Sequence, residues 1–548
     1  MGSIEQTDVD GYPAKRNTTC LVGNYHIEGF VSESGVANYL GIPYAEIPSR
    51  FRQARPIKSS EVKGTFDAKR YGPICPQNID LPRKWREHLY HGVVHSDALP
   101  VSEYECLNLN VYAPSQRSEG LLPVFVWIHG GGFVVGDGGP EYDGNYIVEY
   151  ASKLGQPFIY VAFNYRLGYF GFLHSQELKA EAGDAGEVRF ANVGLHDQRL
   201  ALQWVQQNIC YFGGDGSNVT IAGESAGAWS VLAHLRSGVP ICQRAMIMSA
   251  PSLAPGAAQT AQEAFDSLFA KASSTGVASD CQKLEFLRNL SVEKLLSLTP
   301  PSLILPTWDP EWFLHKDGLL PLDKVGDFPS WCDGITAGWT HDEIALFGIV
   351  HGWDHWSIDM VQAAVRLAIP DSSLADEVIE TYGIMSKTQD AKSAVKALIA
   401  FASDATFGSL MESMGSHTHT STPVSLYRFD QVDTFEQSPF LGYAYHALDN
   451  VFICRLPAVA GKQAPLELRL TADALTESVC KFVYGKQPWA PYSLSGQIKT
   501  FNGHQTGLID WTGSAQWKAL ATTPARVDML KKSARALMSI TKEELLHQ

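Results

Sequence analysis

The segment Val219–Leu235 reads VTIAGESAGAWSVLAHL and contains the pattern Gly-x-Ser-x-Gly centred on Ser225. An apolar run precedes the pattern and an amphipathic stretch follows it, so the segment predicts a strand, a sharp turn and a helix. Gly223 and Gly227 are expected at the turn because side chains there would collide with the neighbouring strand or helix. Such a nucleophile elbow holds the Ser225 hydroxyl clear of the backbone, above the unpaired N–H groups of the helix N-terminus.

A second glycine-rich segment, His129–Phe133, reads HGGGF and follows the apolar run Leu122–Ile128. Consecutive glycines expose backbone N–H groups, which an oxyanion hole needs where negative charge develops in a tetrahedral intermediate. We expect Gly131 and Gly132 to supply two donors and Ala226, the residue after the nucleophile, to supply a third. A flexible glycine loop is the alternative, but the segment lies about 95 residues before the elbow, in the chain order of an α/β-hydrolase.

A serine nucleophile needs a base to take its proton and an acid to orient that base. In α/β-hydrolases the chain order is serine, acid, histidine. The segment Asp333–Glu343 predicts a short strand that ends in a polar turn, where Asp342 and Glu343 are both candidate acids. Of the 17 histidines, His446 lies on a loop between the strand-like Ser425–Phe429 and a helix, which suits a general base.

With these segments in this order, the chain resembles the type-B carboxylesterases, the cholinesterase-like group of α/β-hydrolases, and within that group a fungal or microbial branch. The resemblance covers nearly the whole chain and is carried by many matches in the same order. The matched segments include Tyr39–Ala45, Tyr71–Gln77, Glu105–Asn110, Asn164–Gly168, Gly171–Leu173, Asn192–Gln198, Ala201–Val205 and Phe212–Asp215.

The resemblance implies an α/β-hydrolase fold with a large, mostly parallel central sheet. Helices flank the sheet, and helical cap insertions surround an active-site gorge. The resemblance also implies that Glu343 rather than Asp342 is the acid and that His446 is the base. Glu224 and Ser249 are expected directly behind the catalytic side chains.

Two further expectations concern the gorge. Cys75 and Cys106 match a disulfide of the family that closes a loop at the gorge entrance. Phe133, Trp229 and Phe347 are weak candidates for the lining of an apolar substrate pocket, since ordinary core packing is the commoner role for each.

The composition indicates a globular chain with a large packed core, because 45% of the 548 residues are hydrophobic and 18% are charged. There is no Pro/Ser-rich linker, repeat or charge block. We therefore expect one domain over residues 1–548, with a helix-rich cap side at about 255–420. The net charge of −15 argues against nucleic acid or an anionic membrane as a partner. No apolar run approaches about 18 residues, so no membrane span is expected.

The expected chemistry needs no cofactor and no metal, and its partner is a small-molecule ester. The first residues of the sequence contain no apolar signal region, so we expect a cytoplasmic protein. Secretion, with the signal missing from this sequence, is the alternative. We expect a monomer or a homodimer.

Three functions fit these residues. The first is hydrolysis of a small-to-medium ester, apolar or aromatic, through an acyl-enzyme on Ser225. The second is acyl transfer, or lactone formation or opening, in an intracellular secondary-metabolite pathway, because the same residues serve when an alcohol replaces water. The third, a non-catalytic cholinesterase-like binding module, is less favoured because Ser225, Glu343 and His446 are all present.

Overall fold

The structure is a computed structural model that describes residues 16–78, 87–90, 99–116, 118–186, 191–273, 279–300, 303–309, 312–313, 328–384, 390–416 and 422–546. Within these residues, thirteen strands join in one large sheet, and β4 and β5 form a separate small sheet. The strands are β1 (Arg16–Val22), β2 (Tyr25–Val31), β3 (Val36–Pro43), β4 (Ala45–Glu46), β5 (Arg55–Pro56), β6 (Gly64–Asp67), β7 (Asn108–Pro114), β8 (Leu122–Ile128), β9 (Ile159–Phe163), β10 (Gly214–Glu224), β11 (Arg244–Met248), β12 (Gly334–Thr340), β13 (Val424–Phe429), β14 (Gln497–Phe501) and β15 (Gly507–Asp510).

The centre of the large sheet is parallel. Its strands lie in the order β1-β2-β3-β7-β9-β8-β10-β11-β12-β13-β14-β15, and β6 pairs with β2. The seven strands from β9 to β14 along this order are parallel, whereas the pairs at both ends are antiparallel. Every residue of β9 and β12 is buried, as is typical where helices cover both faces of a sheet. The mostly parallel α/β-hydrolase sheet that the sequence predicts is confirmed.

Helices flank this sheet and connect its strands. The helix that follows β10 packs against both β10 and β11. The helices are α1 (Asn145–Lys153), α2 (Gly168–Phe172), α3 (Gln176–Asp184), α4 (Val193–Asn208), α5 (Ala226–Arg236), α6 (Ala258–Ala272), α7 (Asp280–Arg288), α8 (Val292–Leu298), α9 (Ala345–Val350), α10 (Ile358–Ala368), α11 (Ser372–Thr381), α12 (Ala391–Ser403), α13 (Ser409–Ser416), α14 (Leu448–Ile453), α15 (Pro457–Ala460), α16 (Leu466–Val483), α17 (Tyr492–Ser495), α18 (Ala515–Leu520), α19 (Pro524–Leu537) and α20 (Lys542–Leu546).

The sheet order brings distant parts of the sequence to one edge. Parallel neighbours end on the same side, and the predicted site residues follow the carboxyl ends of adjacent strands. The glycine strip, residues 129–133, follows β8, and Ser225 follows β10. Ser249 follows β11, Glu343 lies just beyond β12, and His446 lies on the long segment between β13 and α14.

The region at about 255–420 is rich in helices, as expected. Its described residues contain α6 to α13 and the single strand β12. That the region forms a cap side, and that the whole chain is one domain, stay predictions.

One helix of 26 residues, Ala391–Ser416, is long and apolar enough to cross a membrane by length and composition. It consists of α12, a π-turn at Asp404–Gly408, and α13. In its most apolar window 72% is buried inside the protein, as in the core helices of soluble proteins. The helix is therefore weak evidence for a membrane span.

Cys75 and Cys106, the two cysteines of the predicted disulfide, are buried free thiols in the structure. The disulfide is therefore not shown. The two thiols are nevertheless neighbours. A hydrogen bond between them is the first cause that raises the pKa of Cys106 well above its ordinary value. The Cys75 sulfur also accepts the backbone N–H of Leu167 at 3.3 Å.

The turn between β10 and α5 leaves no room for side chains at its glycines. A Cβ added to Gly223 would lie 2.5 Å from the carbonyl carbon of Gly227, and one added to Gly227 would lie 2.0 Å from the carbonyl oxygen of Ile128. Ile128 is the last residue of β8. Side chains at both glycines would therefore collide with backbone atoms, as the sequence predicts. Gly227 is the point at which α5 contacts β8, the strand that leads into the glycine strip.

Replacing Gly227 by alanine should destabilise the protein by about 3 kcal/mol or more, because α5 and the end of β8 must separate to admit the methyl group. Thermal and urea unfolding measure the change. Gly183→Ala is the matched control, since Gly183 is also in a helix and its added Cβ would meet nothing within 4 Å. That control should be neutral or stabilising by up to about 1 kcal/mol. Equal stability of the two variants would contradict the close contact at Gly227.

Candidate active site

Ser225 lies at the tip of the turn in a strained backbone conformation. Its φ of 56° and ψ of −119° fall outside the regions that residues with side chains ordinarily adopt. Two backbone hydrogen bonds stabilise this conformation. The Ser225 N–H donates to the Met248 carbonyl oxygen at 3.0 Å, and the Ser225 carbonyl oxygen accepts the Trp229 N–H at 2.9 Å. The turn thus places the Ser225 hydroxyl at the N-terminus of α5, as the nucleophile-elbow interpretation requires.

The glycine strip lies directly against this turn. A Cβ added to Gly130 would be 2.7 Å from the backbone oxygen of Glu224, and one added to Gly131 would be 2.0 Å from the carbonyl oxygen of Val135. Gly131 and Gly132 also have positive φ values of 104° and 61°, which favour glycine. A side chain at Gly130 would therefore collide with the elbow, and one at Gly131 would collide with Val135.

Three backbone N–H groups remain available beside Ser225. Within the described part of the chain, the N–H groups of Gly131, Gly132 and Ala226 donate to no protein acceptor. Ala226 is the first residue of α5, where an N–H has no partner inside the helix. The structure therefore brings together the three donors predicted for an oxyanion.

His129 begins the glycine strip but is unsuited to act as a base. Burial lowers its pKa to about 4, and its Nδ1 lies 2.9 Å from the carbonyl oxygen of Gly130. The ring stacks on Tyr165, whose hydroxyl donates to the His129 carbonyl at 2.9 Å. These contacts make His129 a neutral support for the strip.

Glu343, and not Asp342, meets the imidazole of His446. Glu343 Oε2 lies 2.5 Å from His446 Nδ1, while its Oε1 accepts the Ser249 hydroxyl at 2.5 Å and the Thr340 N–H at 2.7 Å. Glu343 is fully buried, so these partners fix its orientation.

Asp342 serves the backbone instead. It accepts the N–H of Ala444 at 2.9 Å and lies 2.8 Å from the ring nitrogen of His341. Its carboxylate therefore shapes the loop that leads to His446, while the next residue contacts the imidazole. Of the two candidate acids, Glu343 therefore contacts the imidazole of His446 and Asp342 does not.

The other nitrogen of His446 faces a second carboxylate. Nε2 lies 3.0 Å from Glu224 Oε1, but the two atoms are not aligned for a hydrogen bond. Among the described residues, the Ser225 hydroxyl forms no hydrogen bond with His446 or any other group. Burial lowers the pKa of His446, but Glu224 and Glu343 more than offset this and raise it to about 10. The resting geometry therefore stabilises an imidazolium between two carboxylates.

A third acidic group, Asp449, was missed by the sequence reasoning. Burial, and then the charges of Glu224 and Glu343, raise its pKa to about 8. The Tyr427 hydroxyl donates to its Oδ2 at 3.3 Å. This carboxyl therefore ionises less readily than an ordinary aspartate. The only sequence signal was an acidic residue three positions after His446.

The predicted pocket residues separate into two groups. Phe133 and Trp229 pack edge to face at 5.8 Å and are fully buried, so the last residue of the glycine strip packs in the core against α5. Phe347 is half-buried, and its ring centroid lies 5.3 Å from that of His446. Phe407, which the sequence reasoning did not single out, lies 4.9 Å from the same imidazole.

The described residues contain no cluster of three or more His, Cys, Asp or Glu side chains that could hold a metal ion. That the chemistry needs no cofactor stays a prediction. The site as described consists of one hydroxyl, one imidazole, three carboxyl groups and three free backbone N–H groups.

This geometry can be compared with known proteins. The family whose sequence profile matches residues 19–325 is described as the Carboxylesterase family. The chain belongs to the carboxylesterase family. It is 30% identical to para-nitrobenzyl esterase of Bacillus subtilis (strain 168), over 86% of this chain and 88% of that protein.

Two further relatives match shorter stretches of this carboxylesterase. Lipase 5 of Diutina rugosa is 39% identical over 48% of this chain, which spans about half (49%) of that lipase. Acetylcholinesterase of Danio rerio is 41% identical over 42% of this chain and 34% of its own length. The predicted resemblance to type-B, cholinesterase-like carboxylesterases is confirmed, and the family and these relatives support a carboxylic-ester hydrolase.

Replacing Glu224 by glutamine should lower the pKa of His446 by at least about 1 pH unit, because one of its two flanking negative charges is lost. NMR titration of protein labelled at histidine measures this, with the His446 signal assigned by its loss in a His446→Asn variant. Asp342→Asn is the control, since that carboxylate contacts His341 and should leave His446 unchanged. An unaltered titration in Glu224→Gln would contradict the role of the Glu224 charge.

Proposed function

We propose that this carboxylesterase hydrolyses carboxylic esters through Ser225, His446 and Glu343, with an acyl-enzyme on Ser225. The observation that carries the proposal is the contact of 2.5 Å between Glu343 and His446 Nδ1, on the same sheet edge as the Ser225 elbow. A carboxylate at Nδ1 orients the imidazole, so that Nε2 is the nitrogen left to exchange a proton.

In the first step the Ser225 oxygen attacks the ester carbonyl carbon and its proton passes to His446 Nε2. The carbonyl oxygen becomes an oxyanion, which accepts the N–H groups of Gly131, Gly132 and Ala226. The carbon–oxygen bond to the alcohol then breaks, and the alcohol leaves with the proton that His446 returns. The acyl group remains on Ser225 as an ester.

In the second step water takes the place of the alcohol. Its oxygen attacks the acyl carbon, His446 Nε2 takes one of its protons, and a second oxyanion forms on the same donors. The bond to the Ser225 oxygen breaks, the proton returns to that oxygen, and the carboxylic acid leaves. Each backbone donor contributes about 3 kcal/mol of transition-state stabilisation.

The resting geometry places two requirements on this mechanism. Glu224 Oε1, and not the Ser225 hydroxyl, lies 3.0 Å from His446 Nε2. Catalytic hydrogen bonds of unliganded enzymes commonly tighten only when substrate binds. His446 acts as a base only in its neutral form, so reaction needs loss of the Nε2 proton and a small rotation of the imidazole or of Glu224. The Ser225 hydroxyl then donates to Nε2.

The substrate proposed is a small-to-medium ester with an apolar or aromatic part. One relative that matches most of this chain is named a para-nitrobenzyl esterase, and another is a cocaine esterase of Oryctolagus cuniculus, 29% identical over 89% of this chain. Aromatic rings beside His446 support the same substrate class. A product assay distinguishes hydrolysis from acyl transfer. It compares the free acid formed in water with the new ester formed when an alcohol is added as acceptor.

Ser225→Ala should reduce kcat for a panel of aryl and alkyl esters by a factor of about 10⁶, because the nucleophile is lost while the oxyanion donors remain. Initial rates of acid release measure this. Ser217→Ala, which removes an exposed hydroxyl that donates to Asp215, should retain full activity. Turnover by Ser225→Ala equal to that of the parent would reject the mechanism.

Alanine at Glu343 should lower kcat by a factor of about 10⁴, because the imidazole loses the group that orients it. Alanine at Asp342 removes an acceptor for the Ala444 N–H and the contact with His341, but no contact with the His446 ring, and should cost activity far less. The same ester assay compares the two variants, with unfolding temperatures as a check on the loop. The reverse ranking would overturn the assignment of the acid.

A further inference from the structure

Two segments that are far apart in the sequence meet at one buried hydrogen bond. His88 lies in a turn of 3₁₀-helix, Glu87–Leu89, in the stretch between Cys75 and Cys106. Its Nε2 lies 3.1 Å from Oδ2 of Asp433, on the loop between β13 and α14. Because a carboxylate oxygen accepts hydrogen bonds, Nε2 is the donor. The two side chains are only 6% and 0% exposed, so little water can compete for this bond.

Asp433 closes the loop between β13 and α14 at its base. Its N–H donates to the carbonyl oxygen of Tyr443 at 2.9 Å, and its carbonyl oxygen accepts the N–H of Gly442 at 2.8 Å. Inside the loop, its carboxylate accepts the N–H of Phe435 at 2.9 Å and the Ser438 hydroxyl at 2.7 Å. This residue therefore closes the loop with its backbone and braces the interior of the loop with its side chain.

The closed loop ends three residues before His446. The next residue, Ala444, donates its N–H to Oδ2 of Asp342 at 2.9 Å, and its carbonyl oxygen accepts the Asp342 N–H at 2.9 Å. Glu343, which contacts His446 Nδ1, directly follows Asp342. The segment that leads into His446 is therefore held from two sides, by Asp433 through the loop and by Asp342 beside the acid.

The 3₁₀ turn that carries His88 is anchored in the core. Leu89 and Tyr90 are both buried, and the turn packs against α15. The His88 ring also lies against the ring of Phe435 inside the loop, with the ring centroids 5.2 Å apart. His88 thus links the base of the loop to a packed part of the protein outside it. This link bears on catalysis, since a displacement of about 1 Å at a reacting group can cost about 10²-fold in rate.

We infer that His88 is a positioning residue for the proposed base, His446, and acts on it through the hydrogen bond to Asp433. The inference rests on the proposed function, because it takes His446 as the group that exchanges a proton with Ser225. Without the bond, the buried carboxylate of Asp433 lacks one donor, which favours any movement that brings it water or another donor. Such a movement shifts the base of the loop and, with it, the imidazole. Reaction is therefore coupled to the docking of the 3₁₀ turn.

The test separates the hydrogen bond from the volume of the ring. His88→Leu keeps an apolar side chain against Phe435 but removes the donor, and it should lower kcat for phenyl acetate by about tenfold with little change in KM. His88→Gln restores a donor near the position of Nε2 and should recover most of the loss. If His88→Leu does not fold, His88→Asn takes its place, because the shorter amide ends near the position of Nδ1 and does not reach Asp433.

A spectroscopic measurement follows the position of His446 without turnover. The proton between His446 Nδ1 and Glu343 Oε2, which lie 2.5 Å apart, should give a downfield NMR resonance that is lost in His446→Asn. We expect this resonance to move upfield or broaden in His88→Leu and to return in His88→Gln. A loss of stability alone would leave the resonance of the folded protein unchanged.

His504→Leu is the matched control, because His504 also contacts a carboxylate, that of Glu467, but on the surface. It should change neither kcat nor the resonance. Three results would each overturn the inference: an unchanged kcat in His88→Leu, a lowered kcat with an unchanged resonance, or a folded His88→Gln as impaired as the variant without the donor. A lowered kcat with a shifted resonance, both recovered in His88→Gln, supports it.

Ser225→Ala assayed in parallel keeps the two proposals apart. Full activity of that variant would reject the proposed mechanism. Its inactivity beside unaltered kcat in the His88 variants would reject only the positioning role of His88.

Discussion

The contact between Gly227 and the carbonyl oxygen of Ile128 is the constraint on which the active site depends. With 2.0 Å between that oxygen and any added Cβ, the helix after the elbow can approach the end of its neighbouring strand only through a glycine. This approach sets the helix N-terminus and the glycine strip side by side. The strained turn at Ser225 and the close packing of Gly130 on Glu224 follow from the same approach. The positions of the backbone donors proposed for an oxyanion thus depend on a steric condition at Gly227.

Two carboxylates, Glu343 and Glu224, lie beside the two ring nitrogens of His446 and set its electrostatic environment. Glu343 is fixed by Ser249 and Thr340, so it presents one oxygen to the imidazole with little freedom. Glu224 adds a second negative charge at the other ring nitrogen. Both favour the imidazolium, which is the state that proton transfer from the serine creates. Burial and these charges raise the pKa of Asp449, which opposes a third negative charge in the same buried volume.

What the sequence predicts and what it misses have distinct physical causes. The elbow and the glycine strip were predictable because their steric requirements are local, and only glycine meets them, so glycines mark both in the sequence. Asp342 and Glu343 are adjacent and chemically alike, so the sequence alone left both open, and the family resemblance favoured Glu343. Phe407 was missed because no pattern in the sequence marks the extra residue of the π-turn that carries it. The state of Asp449 depends on burial and on neighbours that are distant in sequence.

The parallel order of the central strands also has a consequence for how the protein is made. The strand before His446 pairs with β12, and the next pairing strand begins only at Gln497. Until β13 emerges and docks, β12 has an unpaired edge, and until β14 docks, β13 has one. Another chain can extend such an edge. Long-range parallel pairing is slow, and chains of this size fold through intermediates. Because the site is assembled from distant segments, the nascent chain has an unpaired strand edge until β14 has been synthesised. During that time it can aggregate through this edge.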